Sequence, residues 1–139
     1  MIVADTNLIA YRLIEGDKTE EALAVFAKDP EWFVPLLWRH ELLNVLSVHV
    51  RHGNLTESNS QTILDTAFAL FRNREVPVSF PEALSLAIHE NISAYDAQFV
   101  VCARALGTPL VTSDSQLTRK FPHTALTPST FLRKPENLK

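Results

Sequence analysis

Short apolar runs alternate along this chain with longer segments in which apolar residues recur at helical spacing. The runs that predict strands lie at 2–4, 32–34, 75–78, 110–112 and 124–126, and the helical segments lie at 20–28, 38–51, 57–72, 81–89 and 94–106. Strands that are separated by helices form parallel sheets with helices on both faces. We therefore expect an α/β fold in three layers, α/β/α, around a parallel sheet of about four to five strands.

Capping residues mark the ends of two of these predicted helices. Thr56 precedes the segment 57–72 and Ser93 precedes 94–106, and hydroxyl side chains at such positions accept a hydrogen bond from the first helical turn. Gly107 follows the second segment, where a residue in the left-handed conformation commonly ends a helix. The sequence therefore predicts where both helices begin and where the second one ends.

The length of 139 residues suits one domain, which we expect to span 1–139. No apolar stretch is long enough to cross a bilayer, and Met1 leads into a strand-like run rather than into a signal peptide. The single Cys102 lies among apolar residues, which favours a buried thiol in a reducing compartment. We therefore expect a cytoplasmic protein that does not associate with membranes.

The overall charge limits the classes of partner. A net charge of −3 and a pI of about 5.9 argue against a protein that binds nucleic acid passively, since such binding needs a basic face. The same charge is compatible with a nuclease whose acidic residues are neutralised by bound cations.

Four acidic residues stand where apolar segments meet turns or helix starts. Asp5 and Asp114 each follow a predicted buried strand, and the carboxyl ends of parallel strands are where α/β sheets bind ligands. Glu41 and Asp96 lie on the apolar sides of predicted helices, where an acid is unfavourable unless something pairs with it. We expect all four to converge on one cleft.

Each acid also has a simpler explanation. Asp5 and Asp114 could cap the helices that follow them. Asp96 stands three residues after Ser93, the spacing of a capping box, and Glu41 could pair with an adjacent basic side chain. Taken together, the four positions favour a shared cleft, because four independent coincidences would otherwise be needed.

A shared cleft of four carboxylates has an electrostatic consequence. Two carboxylates about 4 Å apart repel by roughly 4 kcal/mol at an effective dielectric near 20, so such a cluster must bind cations or protons. Ligands that are all oxygen suit Mg²⁺ or Mn²⁺ better than zinc, and the calcium loop of an EF-hand is absent from the sequence. We therefore expect Mg²⁺ or Mn²⁺ as the cofactor.

The segments 1–7, 39–44, 93–97 and 110–114 together resemble PIN-domain ribonucleases, most closely the VapC-type toxins of toxin–antitoxin pairs. The resemblance implies a parallel sheet flanked by helices, Mg²⁺ or Mn²⁺ at an acidic cleft, and endonucleolytic cleavage of RNA by a metal-activated water. It extends from about residue 1 to residue 131 and covers four short motifs in the family's order.

The resemblance also assigns roles and partners. The residues that match the family's catalytic and metal-binding acids are Asp5, Glu41, Asp96 and Asp114, and those that match its supporting polar residues are Asn7 and Thr112. The family implies a homodimer and a cognate antitoxin that covers apolar helices and reaches the acidic cleft with a basic residue. The expected substrate is RNA.

Other functions remain open at this stage. A housekeeping RNA-processing or DNA-cleaving nuclease of the same fold would carry the same acids. A receiver domain of signalling proteins would need a second acid after Asp5 and a lysine after the strand at 110–112, where this chain has Thr6 and Ser113. A nonenzymatic binding module would keep its biological effect without Asp5 or Asp96.

Overall fold

The computed structural model describes residues 1–135 and contains five strands in one sheet. The strands are β1 (Ile2–Ala4), β2 (Trp32–Pro35), β3 (Glu75–Val76), β4 (Leu110–Val111) and β5 (Ala125–Leu126). Their order across the sheet is β3-β2-β1-β4-β5, and every neighbouring pair is parallel. The parallel sheet predicted from the alternation is confirmed, with five strands. The last four positions of the predicted 1–139 domain lie outside the described residues.

Seven helices connect the strands of the described chain, and an eighth follows the last strand. They are α1 (Thr6–Leu13), α2 (Thr19–Lys28), α3 (Trp38–Arg51), α4 (Glu57–Phe71), α5 (Phe80–Glu90), α6 (Ala94–Leu106), α7 (Ser115–Lys120) and α8 (Pro128–Arg133). Parallel neighbours require such crossovers, since a tight hairpin can join only antiparallel strands.

The two faces of the sheet divide the helices into two layers. Successive residues of a strand point to opposite faces, so Ile2 and Ala4 pack in one core and Val3 packs in the other. The first core contains buried residues of α1, α2, α3, α4 and α8, and the second contains those of α6 and α7. Because α5 packs on α6, the sheet lies between two helical layers as predicted.

The helix predictions succeeded where capping residues and periodicity agreed. The helix α3 occupies 38–51 as predicted, α4 begins after Thr56, and α6 lies between Ser93 and the left-handed Gly107. Both hydroxyl caps accept the expected backbone hydrogen bond. Cys102 is buried, and that burial raises the pKa of its thiol to about 11, which agrees with a structural cysteine.

The sequence did not predict α1 and α8 as helices. The segment of α1 contains four consecutive apolar residues, at 8–11, which hide the helical period, although Asp5 was recognised as a possible cap. The segment of α8 begins at Pro128, which favours the first position of a helix, after the capping residue Thr127. Strands β3, β4 and β5 are each two residues long, shorter than predicted, because the pairing ends where the chain turns away.

None of the helices within residues 1–135 has the length and apolar character that a membrane span requires.

Candidate active site

The four predicted acids line one cleft at the carboxyl ends of β1 and β4. The cleft has a volume of about 520 Å³ and is bordered by α1, α3, α6 and α7. Each acid lies at the amino-terminal end of one of these helices: Asp5 and Asp114 as caps, and Glu41 and Asp96 in the first turn. The positive end of the helix dipole favours negative charge at these positions. The structure thus brings together acids that are spread over most of the sequence.

Asp5 is held by two hydrogen bonds at the end of β1. Its Oδ1 atom accepts from the backbone N–H of Leu8 at 2.8 Å, and its Oδ2 atom accepts from the hydroxyl of Thr112. Burial, together with the charges of Glu41 and Asp114, raises the pKa of Asp5 to about 6 against the lowering effect of these bonds. Both oxygens are therefore fixed, and the group retains a proton more readily than an exposed aspartate.

Glu41 reaches the cleft from α3. The hydroxyl of Thr6 donates a hydrogen bond to its Oε1 atom at 2.7 Å. Burial raises the pKa of Glu41, the bond from Thr6 lowers it, and the charge of Asp96 raises it again. Arg39 pairs with Glu75 instead of Glu41, because its Nε and Nη2 atoms donate to the two carboxylate oxygens of Glu75 at 2.6 Å.

Asp96 enters the cleft from the first turn of α6. Its backbone N–H donates to the Ser93 hydroxyl at 3.0 Å, so the helix cap predicted at Ser93 is present. Burial raises the pKa of the Asp96 carboxyl, as does the charge of Asp114, while the interaction with Ser93 lowers it. The cap fixes the start of the helix and thereby the position of the acid.

Asp114 both caps α7 and borders the cleft. Its Oδ1 atom accepts from the backbone N–H groups of Gln116 at 2.8 Å and Leu117 at 3.1 Å. Its own backbone N–H donates to the hydroxyl of Thr112 at 3.1 Å, the same hydroxyl that bonds to Asp5. Asp5 and Asp114 therefore each cap a helix and also line the cleft, so the two explanations of these residues are compatible.

The two predicted supporting residues occupy different positions. Thr112 is completely buried and joins Asp5 to Asp114, which is the place expected for a residue that supports the last acid. Asn7 is exposed on α1 and lines the cleft.

Sequence reasoning missed several other residues of the cleft. Thr6 is buried and bonds to Glu41, and the more exposed positions at the border are His40, Asn44 and Tyr95. Each of them is adjacent to a predicted acid or one helical turn away from it. That proximity was the available signal.

The donor chemistry of the cleft fits a hydrated Mg²⁺ or Mn²⁺ ion. Within the part of the chain that the structure describes, no three His, Cys, Asp or Glu side chains are close enough to form a ready-made metal-binding group. Mg²⁺ characteristically keeps several water ligands and uses only one or two carboxylates. Burial raises the pKa values of Asp5, Glu41 and Asp96, so a cation bound among them would stabilise their ionised forms.

The sequence of the chain can be compared with those of known proteins. The sequence model of the PIN domain matches residues 2–121. This chain belongs to the PIN domain family. The chain is also 30% identical over 125 residues to ribonuclease VapC3 of Pyrobaculum aerophilum, and the match covers 87% of this chain and 95% of that protein. The family resemblance inferred from the four motifs is thereby confirmed.

Solved structures share the PIN fold at lower sequence identity. The crystal structure of PAE2754 from Pyrobaculum aerophilum matches with a TM-score of 0.74 and 19% identity, covering 94% of this chain and 85% of that one. FitAcB from Neisseria gonorrhoeae matches with a TM-score of 0.68 and 18% identity, covering 93% and 99%. FitAB bound to an IR36 DNA fragment matches with a TM-score of 0.70 and 18% identity, covering 92% and 95%. These likenesses confirm the fold.

Proposed function

We propose that this chain is a metal-dependent endoribonuclease and the toxin of a toxin–antitoxin pair. The observation that carries the proposal is the convergence of Asp5, Glu41, Asp96 and Asp114 on one cleft of a PIN domain. The similarity to a protein named as a ribonuclease supports RNA as the substrate. We further propose that residues 1–139 act as one nuclease domain and that the enzyme works in the cytoplasm.

We assign the cation to Asp5, Asp96 and Asp114, with Glu41 holding it directly or through a water molecule. A Mg²⁺ or Mn²⁺ ion held there would lower the pKa of water and stabilise the charge that develops on the phosphate oxygens during in-line displacement. We propose that Glu41 also orients the attacking water from its place in the first turn of α3. Thr112 keeps Asp5 and Asp114 at a fixed separation.

A bound cation would allow this acidic cleft to accept a polyanion. Backbone N–H groups in the first turns of α1, α6 and α7 already bond to Asp5, Ser93 and Asp114, so they are not free to bind phosphate. A divalent cation held by the acids would supply the positive charge that a phosphate group needs. Because the chain also has a negative net charge, we expect RNA binding at this cleft to depend on the cation.

The exposed Tyr95 gives the cleft a surface suited to an unpaired base. Its side chain is 62% exposed and stands beside Asp96 at the border of the cleft. Aromatic side chains stack on the bases of single-stranded RNA, which lets the adjacent phosphate reach a metal site. His40 and Asn44 supply polar groups on the opposite side, on α3.

A groove that continues from the cleft is the proposed site of the antitoxin. It lies between α1 and α3, has a volume of about 290 Å³, and shares Asn7 and Val45 with the acidic cleft. Ala10 and Tyr11 contribute apolar surface, and acidic side chains follow at the end of α1. An amphipathic segment with a basic residue would fill the groove and place that residue among the acids.

An apolar face on α5 is the proposed homodimer contact. Phe80, Leu84 and Ile88 recur every four residues and are 71%, 60% and 68% exposed. Side chains at this spacing form one continuous stripe on a helix. An apolar stripe of this kind on a small domain is typical of an interface.

The proposal is tested by substrate choice. Purified protein is incubated in Mn²⁺ with a single-stranded RNA and with a DNA strand of the same sequence, and the products are separated by size. We expect internal cleavage of the RNA and an intact DNA strand. Cleavage of the DNA at an equal rate would replace the ribonuclease proposal with a DNA-cleaving nuclease, and cleavage of neither strand across a panel of RNAs would contradict the enzymatic proposal.

A further inference from the structure

Thr6 is a buried polar residue with a defined partner in the cleft. It is the first residue of α1 and is 5% exposed. Among residues 1–135, the buried polar or charged side chains are those of Thr6, Asp29 and Thr112. Both threonines of this group donate to a cleft acid, Thr112 to Asp5 and Thr6 to Glu41. The cleft is thus built with one buried hydroxyl for each of two acids.

The bond from Thr6 to Glu41 spans 35 positions of the sequence. A threonine at the start of a helix commonly bonds to a nearby backbone group of its own segment. Here the hydroxyl crosses from α1 to α3 instead and meets Oε1 at 2.7 Å. Burial of a hydroxyl is costly unless it is bonded, so the protein must keep this pair together.

The bond determines which part of the Glu41 carboxylate is free. Oε1 accepts a hydrogen bond from the Thr6 hydroxyl. Because the Glu41 side chain lines the cleft, Oε2 is the oxygen left to bind a ligand there. A glutamate has three rotatable side-chain bonds, and a hydrogen bond to one oxygen restricts them before any ligand binds. Fixed orientation of a reacting or binding group contributes strongly to catalysis.

The bond also relates Glu41 to Asp5. Thr6 follows Asp5 in the chain, and Asp5 is itself fixed by the N–H of Leu8 and by Thr112. The bond therefore fixes the position of Glu41 relative to the end of β1, where Asp5 lies. A displacement of α3 relative to α1 would break the bond and separate the two acids.

We propose that Thr6 is a positioning residue for Glu41, fixing Oε1 so that Oε2 is presented to the cleft. The proposal rests on the nuclease function proposed above and adds a residue that acts only through another. Partners of this kind typically change metal affinity or activity by about tenfold to a hundredfold when they are removed.

The test compares variants that differ in one hydroxyl group. Thr6→Val keeps the branched shape and removes the donor, Thr6→Ser keeps the donor, and Glu41→Gln removes the charge of the acid. The double variant, which combines Thr6→Val with Glu41→Gln, completes a double-mutant cycle. Thr108→Val is the matched control, because its hydroxyl bonds to the Met1 carbonyl away from the cleft. Mn²⁺ binding is measured by titration calorimetry, cleavage of an RNA by kcat and KM, and folding by thermal unfolding.

We expect Thr6→Val to lower kcat for RNA cleavage by about tenfold or more, with KM changed by less than about threefold. Its Mn²⁺ affinity should fall by about threefold or more, whereas Thr6→Ser and Thr108→Val should stay near wild type in both measurements. The double variant should be no less active than Glu41→Gln alone, since a residue that acts through Glu41 has nothing further to lose.

Two results would overturn the proposal. One is a Thr6→Val protein that is folded and matches Thr108→Val in both kcat and Mn²⁺ affinity. The other is an additive loss in the double variant, which would show that Thr6 acts independently of Glu41. If wild type binds Mn²⁺ but cleaves no RNA, the nuclease proposal fails, and the calorimetric cycle still decides whether Thr6 positions Glu41.

Discussion

Thr112 donates a hydrogen bond to Asp5 across 107 positions of the sequence. The same hydroxyl accepts from the backbone N–H of Asp114, so one buried threonine fixes the acids at the ends of two adjacent strands. The pairing of β1 with β4 brings these strand ends together. The acidic cleft is therefore a direct product of the strand order.

Replacing Thr112 by valine should weaken both the fold and the activity. The change leaves a carboxylate oxygen of Asp5 without its donor, which we expect to cost about 1–3 kcal/mol of unfolding free energy. RNA cleavage should fall by about tenfold or more, and Thr112→Ser should restore most of it. Denaturant unfolding and initial rates check both effects. A valine variant with wild-type rates would show that the bond does not contribute to catalysis.

The stability of the metal-free protein should fall as the pH rises from about 4 to about 6. The pKa of Asp5 is raised from 3.8 to about 6 in the folded state, so in this range the unfolded chain releases a proton that the folded chain retains. A shift of this size corresponds to a contribution on the order of 3 kcal/mol. Thermal unfolding in EDTA across this range, with Asp5→Asn as the control, checks the prediction. An equal pH dependence in the control would assign the effect to other groups.

Mn²⁺ should stabilise the protein more at neutral than at acidic pH. Asp5, Glu41 and Asp96 all have raised pKa values, and a cation binds only their ionised forms. Thermal unfolding with and without Mn²⁺ should therefore give a larger increase in Tm at pH about 7.5 than at pH about 5. The same increase at both values would indicate that the cation binds away from these carboxylates.

The apolar face of α5 should determine the oligomeric state. Leu84→Glu or Ile88→Glu places a charge in the exposed stripe, and either change should convert a dimer to a monomer in sedimentation measurements. Leu23→Glu is the matched control, because Leu23 is also exposed but lies on α2. A wild-type protein that sediments as a monomer, or a dimer that survives both α5 changes, would contradict the assignment of this face.

The sequence was sufficient to predict the parallel sheet and the convergence of four acids on one cleft. Strand alternation and helix caps are local signals, and those near Thr56, Ser93 and Gly107 gave helix boundaries within about one residue. The four acids were found because each follows a strand or begins a helix, which is also why they meet at one edge of the sheet.

Contacts between distant segments were beyond sequence reasoning. The bond from Thr6 to Glu41 depends on how α1 packs against α3, and a threonine beside an aspartate gives no local indication of it. The pairing of Arg39 with Glu75 likewise depends on β3 lying next to β2. In both cases the partner is determined by tertiary packing, and a local pattern of residues does not reveal that packing.

We propose that the acids of the cleft hold a cation and that a water activated by this cation cleaves RNA. The most direct measurement is cleavage of a structured RNA by wild type in Mn²⁺, beside an EDTA-treated sample and Asp96→Asn protein purified in the same way. We predict cleavage by wild type, none in EDTA, and a loss of about a hundredfold or more in the folded variant, because the variant lacks one charged ligand. Equal cleavage by the Asp96→Asn protein, or cleavage that persists in EDTA, would contradict the account.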